Sequence, residues 1–365
     1  MHILILNWRD TKNPLAGGAE IVTMEHAKAW VQAGYTVTWL TSSFPGGAKT
    51  DRTLGVEIVR QGNAKTIYFF APFFYLFSGR HFDIVIDEIH GLPFFTPLYV
   101  RKPKVAFIHE VANEIWDYMR PFPFNILGRF VERLSFQLYR NVMFWTDASS
   151  TIQELEAYGI PREHCRAIPC PVTNSILAKP TKKEKNPTYI FVSRVVRMKG
   201  IEDVIRAFVF IHKTQLTSQL WIIGFGNEKY VKKLRNLAFS YGIGSSVTFF
   251  GRVSETKKRE YMRRAHILLH ASVKEGWGLV VLEAASQGTP TVAYNVPGLV
   301  DTVQNGKTGI IVSDNTPHAL AAASIQLYHD VKRYRAFQHN ALAWVRSLTW
   351  KNASAESLRL LQSVV

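Results

Sequence analysis

The sequence contains very little cysteine. Of 365 residues only Cys165 and Cys170 are cysteines, too few for a disulfide framework or a cysteine-rich zinc cluster, which favours a reduced, cytoplasmic setting. The histidine and acidic residues show no metal-ligand spacing, and an Asp-x-Asp pair that would hold a metal on a diphosphate is missing. We therefore expect neither a bound metal nor a cofactor.

Long hydrophobic runs are also absent. The longest, IYFFAPFFYLF at 67–77, contains a proline and is far shorter than the roughly 20 residues that cross a bilayer. The opening MHILILNWRD lacks the basic region and cleavage site of a signal peptide, so we expect none. G-x-S-x-G and P-loop motifs are missing as well, which argues against serine hydrolases, kinases and NTPases.

Acidic residues are the minority charge. The 44 Lys and Arg residues outnumber the 28 Asp and Glu residues, giving a formal net charge of +16. Such a charge predicts anionic partners, namely phosphates, lipid headgroups or nucleic acid. The basic clusters at 101–104, 179–185 and 257–264 are equally compatible with ordinary solvated surface.

Short apolar runs alternate with amphipathic segments along most of the chain. Such alternation is typical of parallel α/β sheets with helices on both faces. It is interrupted at 170–187, a proline-rich, basic stretch that we interpret as a linker. We predict two doubly wound α/β domains, 1–172 and 173–350, with a final helix at 351–365 that joins the first.

The segment KEGWGLVVLE brackets an apolar run with two acids, Glu275 and Glu283. A helix that begins near Gly278 and Leu279 would present free amides and a partial positive charge, which suit a phosphate. The flanking glycines let a ligand approach the backbone, and Glu283 would lie one turn into the helix. The alternative is an ordinary strand–helix turn with a capping acid.

Three further groups follow predicted strands. Arg194 and Lys199 can clamp a diphosphate, although solvated loop cations would look the same. Gly17 and Gly18 open the first helix with a turn that suits phosphate. His109 ends a strand of the first domain, where it either faces a ligand or is a satisfied structural histidine.

Together these segments resemble a known family. Residues 270–312 resemble the carboxyl-terminal signature of the retaining glycosyltransferases of family four, the sucrose-synthase and mannosyltransferase-like group. Residues 193–208 resemble its Arg and Lys phosphate motif, and GGAE at 17–20 its glycine loop. The resemblance implies the GT-B fold, in which two Rossmann-like domains face each other across a cleft. The Asn-Gly pair usual before the linker is replaced by IPCPVT, and the usual Phe-Gly by Trp277-Gly278.

The resemblance also implies roles for individual residues. Glu283 would hold the ribose, Glu275 the donor sugar, and Arg194 with Lys199 the leaving diphosphate. His109 would lie by the donor sugar and the acceptor. Weaker or backbone-mediated donor contacts are expected from Gly17, Gly18, Arg252, Gly276, Trp277, Gly278 and Leu279. The implied reaction moves a hexose from a nucleotide diphosphate sugar to a hydroxyl of a glycan or lipid-linked acceptor, without metal.

The segment around 124–138 bears on the acceptor. Leu127, Phe130, Val131, Leu134 and Leu138 form one apolar helical stripe beside basic residues. This pattern suits a helix on an anionic membrane surface, and hence peripheral attachment at the inner face of the plasma membrane. A core-facing helix with solvated arginines gives the same pattern.

Two other functions remain open. A nucleotide-sugar 2-epimerase would share fold and donor but need no acceptor. A basic nucleic-acid-binding protein would account for the charge, although the sequence carries no recognisable nucleic-acid-binding module, so we expect no nucleic-acid partner.

Overall fold

Two α/β units account for the chain. The computed structural model describes residues 1–173 and 175–365 and divides into unit 1, formed by Met1–Cys170 with Thr349–Val365, and unit 2, formed by Pro171–Leu348. Both are built on largely parallel sheets, which confirms the predicted fold class.

Unit 1 contains an eight-stranded sheet of order β3-β4-β2-β1-β5-β6-β7-β8, parallel except for the β3–β4 pair. Its strands are β1 (His2–Leu6), β2 (Thr36–Thr41), β3 (Thr50–Thr53), β4 (Val56–Arg60), β5 (Ile84–Ile89), β6 (Lys104–Ile108), β7 (Met143–Thr146) and β8 (Cys165–Ala167). Its α-helices are α1 (Gly18–Gln32), α2 (Ile67–Phe77), α3 (Trp116–Met119), α4 (Phe124–Leu138), α5 (Ser149–Ala157) and, from the chain end, α13 (Trp350–Val364).

The two faces of this sheet carry different helices. Alternate residues of a strand point to opposite faces, so Val85 and Ile89 of β5 lie on the same one. Val85 packs in the cluster that holds Phe74 of α2, and Ile89 in the cluster that holds Phe136 of α4. Helices α2 and α4 therefore cover one face. On the other face α1 and α13 pack together, and Trp30 of α1 meets Trp145.

Unit 2 contains a six-stranded, wholly parallel sheet of order β11-β10-β9-β12-β13-β14. Its strands are β9 (Thr188–Val192), β10 (Gln219–Ile223), β11 (Val247–Gly251), β12 (Ile267–His270), β13 (Thr291–Ala293) and β14 (Gly309–Ile311). Its α-helices are α6 (Ile201–Thr214), α7 (Glu228–Ser240), α8 (Glu255–Arg264), α9 (Leu279–Ser286), α10 (Leu299–Thr302), α11 (Pro317–His329) and α12 (Val331–Ser347). One continuous core of aliphatic and aromatic residues fills the space between sheet and helices.

The segment predicted as a linker is packed against unit 2 over much of its described length. The amide of Leu177 donates to the carbonyl of Ser286, and that of Glu184 to the carbonyl of Arg264. The Lys183 ammonium donates to Thr289 Oγ1 at 2.6 Å. Asn174, part of the same prediction, lies outside the described residues. The proline-rich, basic composition therefore coincides with the boundary between the two units, and most of the described stretch packs against unit 2.

Helix α4 turns its apolar stripe outward. Leu127, Phe130, Leu134 and Leu138 are exposed, and the buried side holds Gly128, Glu132, Ser135 and Phe136. The core-facing interpretation of this helix is therefore wrong. Among residues 1–173 and 175–365, no helix combines the length and hydrophobicity that crossing a bilayer requires.

Candidate functional site

Each sheet has one point at which the chain order reverses. In unit 1 it lies between β1 and β5, and in unit 2 between β9 and β12. Loops diverge there at the carboxyl ends of the strands, which leaves room for a ligand in doubly wound folds. The loops after β1, β6, β9, β11 and β12 and the helices they open carry the predicted site residues, each within its own unit.

The reversal point of unit 2 is occupied by an ion pair. Lys199 comes from the turn after β9 and Glu275 from the loop after β12, and Lys199 Nζ lies 2.6 Å from Glu275 Oε1. The same carboxylate oxygen accepts from Ser272 Oγ at 2.7 Å and lies 3.3 Å from Nε2 of the buried His270. The sequence assigned these two residues separate tasks, and the structure brings them into direct contact.

Glu275 is held as a carboxylate. Burial by itself would raise its pKa, but Lys199 and His270 outweigh that effect and hold the pKa well below its usual range. Glu275 is therefore anionic at neutral pH and cannot serve as a general acid there. It can accept hydrogen bonds from sugar hydroxyls and stabilise positive charge nearby.

Two glycines allow close backbone approach next to the ion pair: Gly200 against the end of β12, and Gly298, in the loop after β13, against the Glu275 loop. Gly200 has φ +67°, and a Cβ there would lie 1.8 Å from the carbonyl oxygen of Ala271. Gly298 has φ +78°, and its Cβ would lie 2.3 Å from the carbonyl oxygen of Glu275. No side chain fits at either place, so both positions fix the backbone that presents the ion pair.

Helix α9 begins where the sequence predicts. Gly278 caps it in the left-handed conformation, and the helix runs from Leu279 to Ser286. Gly276 and Trp277 are buried just before it. Glu283 lies one turn in, with Oε1 2.9 Å from Lys258 Nζ of α8.

Burial raises the pKa of Glu283 although Lys258 opposes it. Glu283, which the sequence predicts to hold the ribose, thus already has the Lys258 ammonium beside its carboxyl group.

The loops after β9, β10 and β11 form a row. Val195, next to the exposed Arg194, pairs with Gly226. The Arg252 guanidinium lies 4.0 Å from the Phe225 ring centroid, a cation–π distance. A Cβ on Gly224 would lie 1.7 Å from the Ser193 carbonyl oxygen, so tight packing accounts for this glycine of the loop after β10.

In unit 1, Gly17 and Gly18 lie at the start of α1, where the buried carboxylate of Glu20 caps the helix. The Gly17 amide donates to Glu20 Oε2 at 2.6 Å, and Arg9 Nη2 lies 2.8 Å from Glu20 Oε1. A Cβ on Gly17 would meet only Glu20 Oε2, at 3.9 Å. Packing therefore leaves room for a side chain at Gly17.

His109 lies between two carboxylates. Its Nδ1 is 2.5 Å from Asp147 Oδ2, beyond the end of β7, and its Nε2 is 3.4 Å from Glu88 Oε1 on β5. Glu88 also accepts from Thr23 Oγ1 of α1 and lies 3.1 Å from His90 Nε2. All of these groups sit at the carboxyl edge of the unit 1 sheet.

Burial alone would lower the pKa of His109, but Asp147 and Glu88 outweigh it and raise the pKa to about 10. His109 is thus an imidazolium at neutral pH. Because both ring nitrogens face carboxylates, it is suited to donating hydrogen bonds and placing positive charge, and unsuited to accepting a proton.

Sequence reasoning missed the groups that hold these residues. They are Glu20, Glu88, His90, Asp147, Lys258, His270 and Ser272. The available signal was position, because several of them end a strand or follow it immediately. In residues 1–173 and 175–365, no group of three or more His, Cys, Asp or Glu side chains is arranged to hold a metal ion.

Two family descriptions match adjoining parts of the chain. "Glycosyltransferase Family 4" matches residues 16–175, and "Glycosyl transferases group 1" matches residues 172–344. The boundary between the two matches falls close to the boundary between the two units.

Among curated proteins, one similar relative is the GDP-mannose-dependent alpha-(1-6)-phosphatidylinositol monomannoside mannosyltransferase of Mycobacterium tuberculosis. It is 30% identical over 184 residues, which are 48% of this chain and 47% of that protein. The chain thus matches about half the length of this relative.

Solved structures match almost end to end. Sucrose-phosphate synthase from Thermosynechococcus elongatus superposes with a TM-score of 0.82 at 19% identity, covering 99% of this chain and 98% of that one. Anabaena HepE in complex with UDP-glucose gives 0.75 at 18% identity and covers both chains fully. By its two family matches and its fold, the chain belongs to the family-4-like glycosyltransferases with the GT-B fold.

Proposed function

We propose that the protein is a retaining glycosyltransferase that moves a hexose from a nucleotide diphosphate sugar to an acceptor hydroxyl. The observation that carries this proposal is the Lys199–Glu275 pair beside the start of α9, at the strand reversal of unit 2. A cation, a permanent carboxylate and free helix-start amides suit, respectively, a diphosphate, a sugar and a phosphate oxygen.

In this proposal each group of unit 2 has one task. Lys199 and the exposed Arg194 neutralise the departing diphosphate, and Lys199 exchanges part of its contact with Glu275 for a phosphate oxygen. The backbone of Gly276 to Leu279 binds phosphate and sugar hydroxyls. Glu283 accepts hydrogen bonds from the ribose, and Arg252 lies against the base.

The proposal also gives tasks to residues of unit 1. At the start of α1 the Gly17 amide, which donates to Glu20 Oε2, would exchange that bond for a phosphate oxygen, and the Gly18 amide would lie beside it. The His109 imidazolium is fixed through Nδ1 by Asp147, and its Nε2, which lies 3.4 Å from Glu88 Oε1, donates to a sugar or acceptor oxygen in place of that carboxylate. Since His109 is a poor base, the leaving diphosphate itself takes the acceptor proton, which is consistent with attack on the face from which it departs.

The chemistry needs positive charge where the carbon–oxygen bond breaks. Departure of a nucleoside diphosphate leaves an oxocarbenium-like sugar, and one additional negative charge develops on the bridging oxygen of the leaving diphosphate. One preorganised donor aimed at such charge contributes about 3 kcal/mol. Lys199, Arg194 and the α9 start can together take the role that a metal ion has elsewhere, so we propose a metal-independent reaction.

The acceptor is proposed to be a lipid-linked sugar or a glycan, used at the inner face of the plasma membrane. The outward apolar stripe of α4 supports this proposal. So does the name of the mycobacterial relative, whose acceptor is a phosphatidylinositol monomannoside.

The test begins with donor binding. A ligand that binds the native state raises its melting temperature by mass action, so UDP, GDP, ADP and their sugars are compared by thermal shift, with and without EDTA. We expect one nucleotide family to raise the melting temperature equally in both. The absence of any shift across the series would contradict the proposal.

Acceptor dependence separates the alternatives. With the donor identified, a transferase consumes it appreciably only when an acceptor is added, and the product keeps the anomeric configuration of the donor. Consumption without acceptor and with inversion at C2 would show an epimerase. Salt-dependent binding of arbitrary DNA without nucleotide-sugar binding would show a nucleic-acid-binding protein.

A further inference from the structure

Helix α4 is built with its polar side inward. Glu132 is buried, and its Oε1 accepts the amide of Ala112 at 2.7 Å, while its Oε2 accepts the amide of Asn113 and the indole N–H of Trp116 at 2.9 and 3.0 Å. A Cβ on Gly128 would lie 2.4 Å from the Trp116 ring. The glycine and the acid thus dock the helix, and its large apolar residues are left for solvent.

Helix α2 repeats the arrangement on the same sheet face. Ile67, Ala71 and Phe74 are buried against the sheet. The opposite side presents Phe69, Phe73 and Phe77, whose surfaces are 73%, 63% and 75% exposed, with Phe70 and Leu76 beside them. The helix contains no charged residue.

Apolar exposure on this scale is unusual for a monomeric protein in water. Single exposed apolar residues are normal, but contiguous patches of large ones mark a binding surface. Here two helices on one face each expose several, and Phe122 and Phe124 at the start of α4 extend the set. We call this surface, made of the exposed residues of α2 and of 122–138, the α2–α4 face.

Its exposed charge has one sign. Glu132 is the sole acid of α4 and is buried, whereas Arg133 is exposed on the flank of the apolar stripe and Arg140 is exposed two residues beyond the end of the helix. Arg129 forms an ion pair with Asp117 at the edge. Aromatic and aliphatic side chains flanked by arginine, in a chain of net charge +16, match an anionic lipid surface, where headgroups meet cations and acyl chains meet apolar groups.

We propose that the α2–α4 face is a membrane-docking surface in which both helices insert their exposed aromatic and aliphatic residues into the interface of an anionic bilayer. This deepens the attachment proposed above, and it rests on the proposed function only in that it brings unit 1 to a lipid-linked acceptor. The α1 and α13 face of the same sheet stays in water.

The experiment uses the full chain and vesicles. Vesicles of phosphatidylcholine, with and without phosphatidylglycerol, are sedimented with the protein at low and high salt. We expect binding to the anionic vesicles at low salt. The double substitution Phe73→Ser with Phe77→Ser should weaken it at least tenfold, and Leu134→Ser should weaken it severalfold, because each removes apolar area that the bilayer would bury.

Matched controls separate this surface from general stickiness. Phe239→Ser removes an aromatic residue that is 80% exposed on α7 of unit 2 and should change nothing. Arg133→Gln with Arg140→Gln should weaken binding about fivefold per arginine near the surface. Arg359→Gln removes an exposed arginine of α13, on the opposite face, and should leave binding unchanged.

Several outcomes would overturn the proposal. They are no vesicle binding by the wild type at low salt, equal loss in Phe239→Ser, or a wild-type dimer in analytical ultracentrifugation that Phe73→Ser with Phe77→Ser dissociates while vesicles stay unbound. Thermal shift with the nucleotide sugar is read on every variant and should be unaffected. Vesicle binding without any rise in melting temperature on adding a nucleotide sugar would support the docking surface and overturn the proposed function.

Discussion

The two sheets use their reversal points in opposite ways. In unit 1 the edge gathers three buried acids, Glu20, Glu88 and Asp147, and surrounds them with Arg9 and two histidines. In unit 2 the acid at the strand reversal, Glu275, is met by Lys199 and His270, and Arg194 and Arg252 are exposed on the loops after β9 and β11. The acids of the unit 1 edge are therefore held in a buried network with their own basic partners, whereas the unit 2 edge has cations that an anion could contact.

This difference supports the proposal that unit 2 binds the anion. A diphosphate brought to the unit 1 network would meet three buried carboxylates and be repelled by them. At the unit 2 edge it would meet Lys199, Arg194 and the start of α9, where one carboxylate must share its partner. The same doubly wound scaffold therefore supports two electrostatic environments, set by a few residues at strand ends.

The largest effect should come from the cations of unit 2. Lys199→Ala and Arg194→Ala should each lower turnover of the identified nucleotide sugar about 100- to 1,000-fold, because each removes a preorganised charge from the leaving group. Steady-state kinetics measures the effect, and circular dichroism should show an intact fold. Lys233→Ala, which removes an exposed lysine paired with Glu202 on the same unit, is the control. Wild-type-like turnover in either variant would refute the clamp.

The next effect tests whether backbone contact holds the ion pair in place. Gly298 and Gly306 share a positive φ, +78° and +75°, but only Gly298 has a backbone oxygen within reach of a Cβ. Gly298→Ala should cost unit 2 about 2–4 kcal/mol, combining left-handed strain with overpacking, whereas Gly306→Ala should cost about 1–2 kcal/mol. Thermal melts compare them, and Gly298→Ala should also weaken the donor shift. Equal melting temperatures for the two variants would show that the Glu275 backbone moves aside at little cost in stability.

A third effect belongs to unit 1 and to pH. His109, with its pKa raised to about 10, should remain protonated through neutral pH in an NMR titration of its ring. Asp147→Asn and Glu88→Gln should each lower its pKa, and His109→Gln identifies the resonance.

The sign for stability follows from the raised pKa. The protonated form stabilises the fold fully below pH 6.5, and this contribution is lost as the pH rises through about 10. The stability difference between wild type and His109→Gln should therefore shrink over that range. A neutral His109 ring at pH 7 would contradict the two-carboxylate arrangement.

Strand and helix order in both units followed from the alternation of apolar runs, because buried parallel strands are nearly all apolar. Strands β3 and β4 escaped notice, since TDRT and VEIVR mix charge into a short pair at the sheet edge. In α1 the apolar Ile21 is exposed, whereas the polar Thr23 and His26 are buried. Hydrophobic periodicity cannot predict the buried side of a helix whose buried residues are polar. The same holds for α4, whose buried side carries Glu132 and Ser135.

The candidate site divides in a similar way. Residues inside a local motif, such as Gly278 and Glu283, could be placed because a helix start and one helical turn are local geometry. The partners of His109 could not, because Asp147 lies 38 residues away and is brought in only by the order of β6 and β7. Lys199 and Glu275, 76 residues apart, met for the same reason at a strand reversal.

The smallest effect concerns the nucleotide base. Arg252 lies over Phe225 at 4.0 Å, and Arg235 lies over Phe249 at 4.6 Å in the same unit, but only the first pair stands on loops at the proposed donor edge. Arg252→Gln should weaken donor binding about three- to fivefold, in keeping with a cation–π or stacking contact of about 0.5–1 kcal/mol, and leave turnover at saturation unchanged. Calorimetric titration of the nucleotide measures it. Arg235→Gln should bind as the wild type does, and equal weakening in both variants would mean that Arg252 acts through general charge and not through contact with the base.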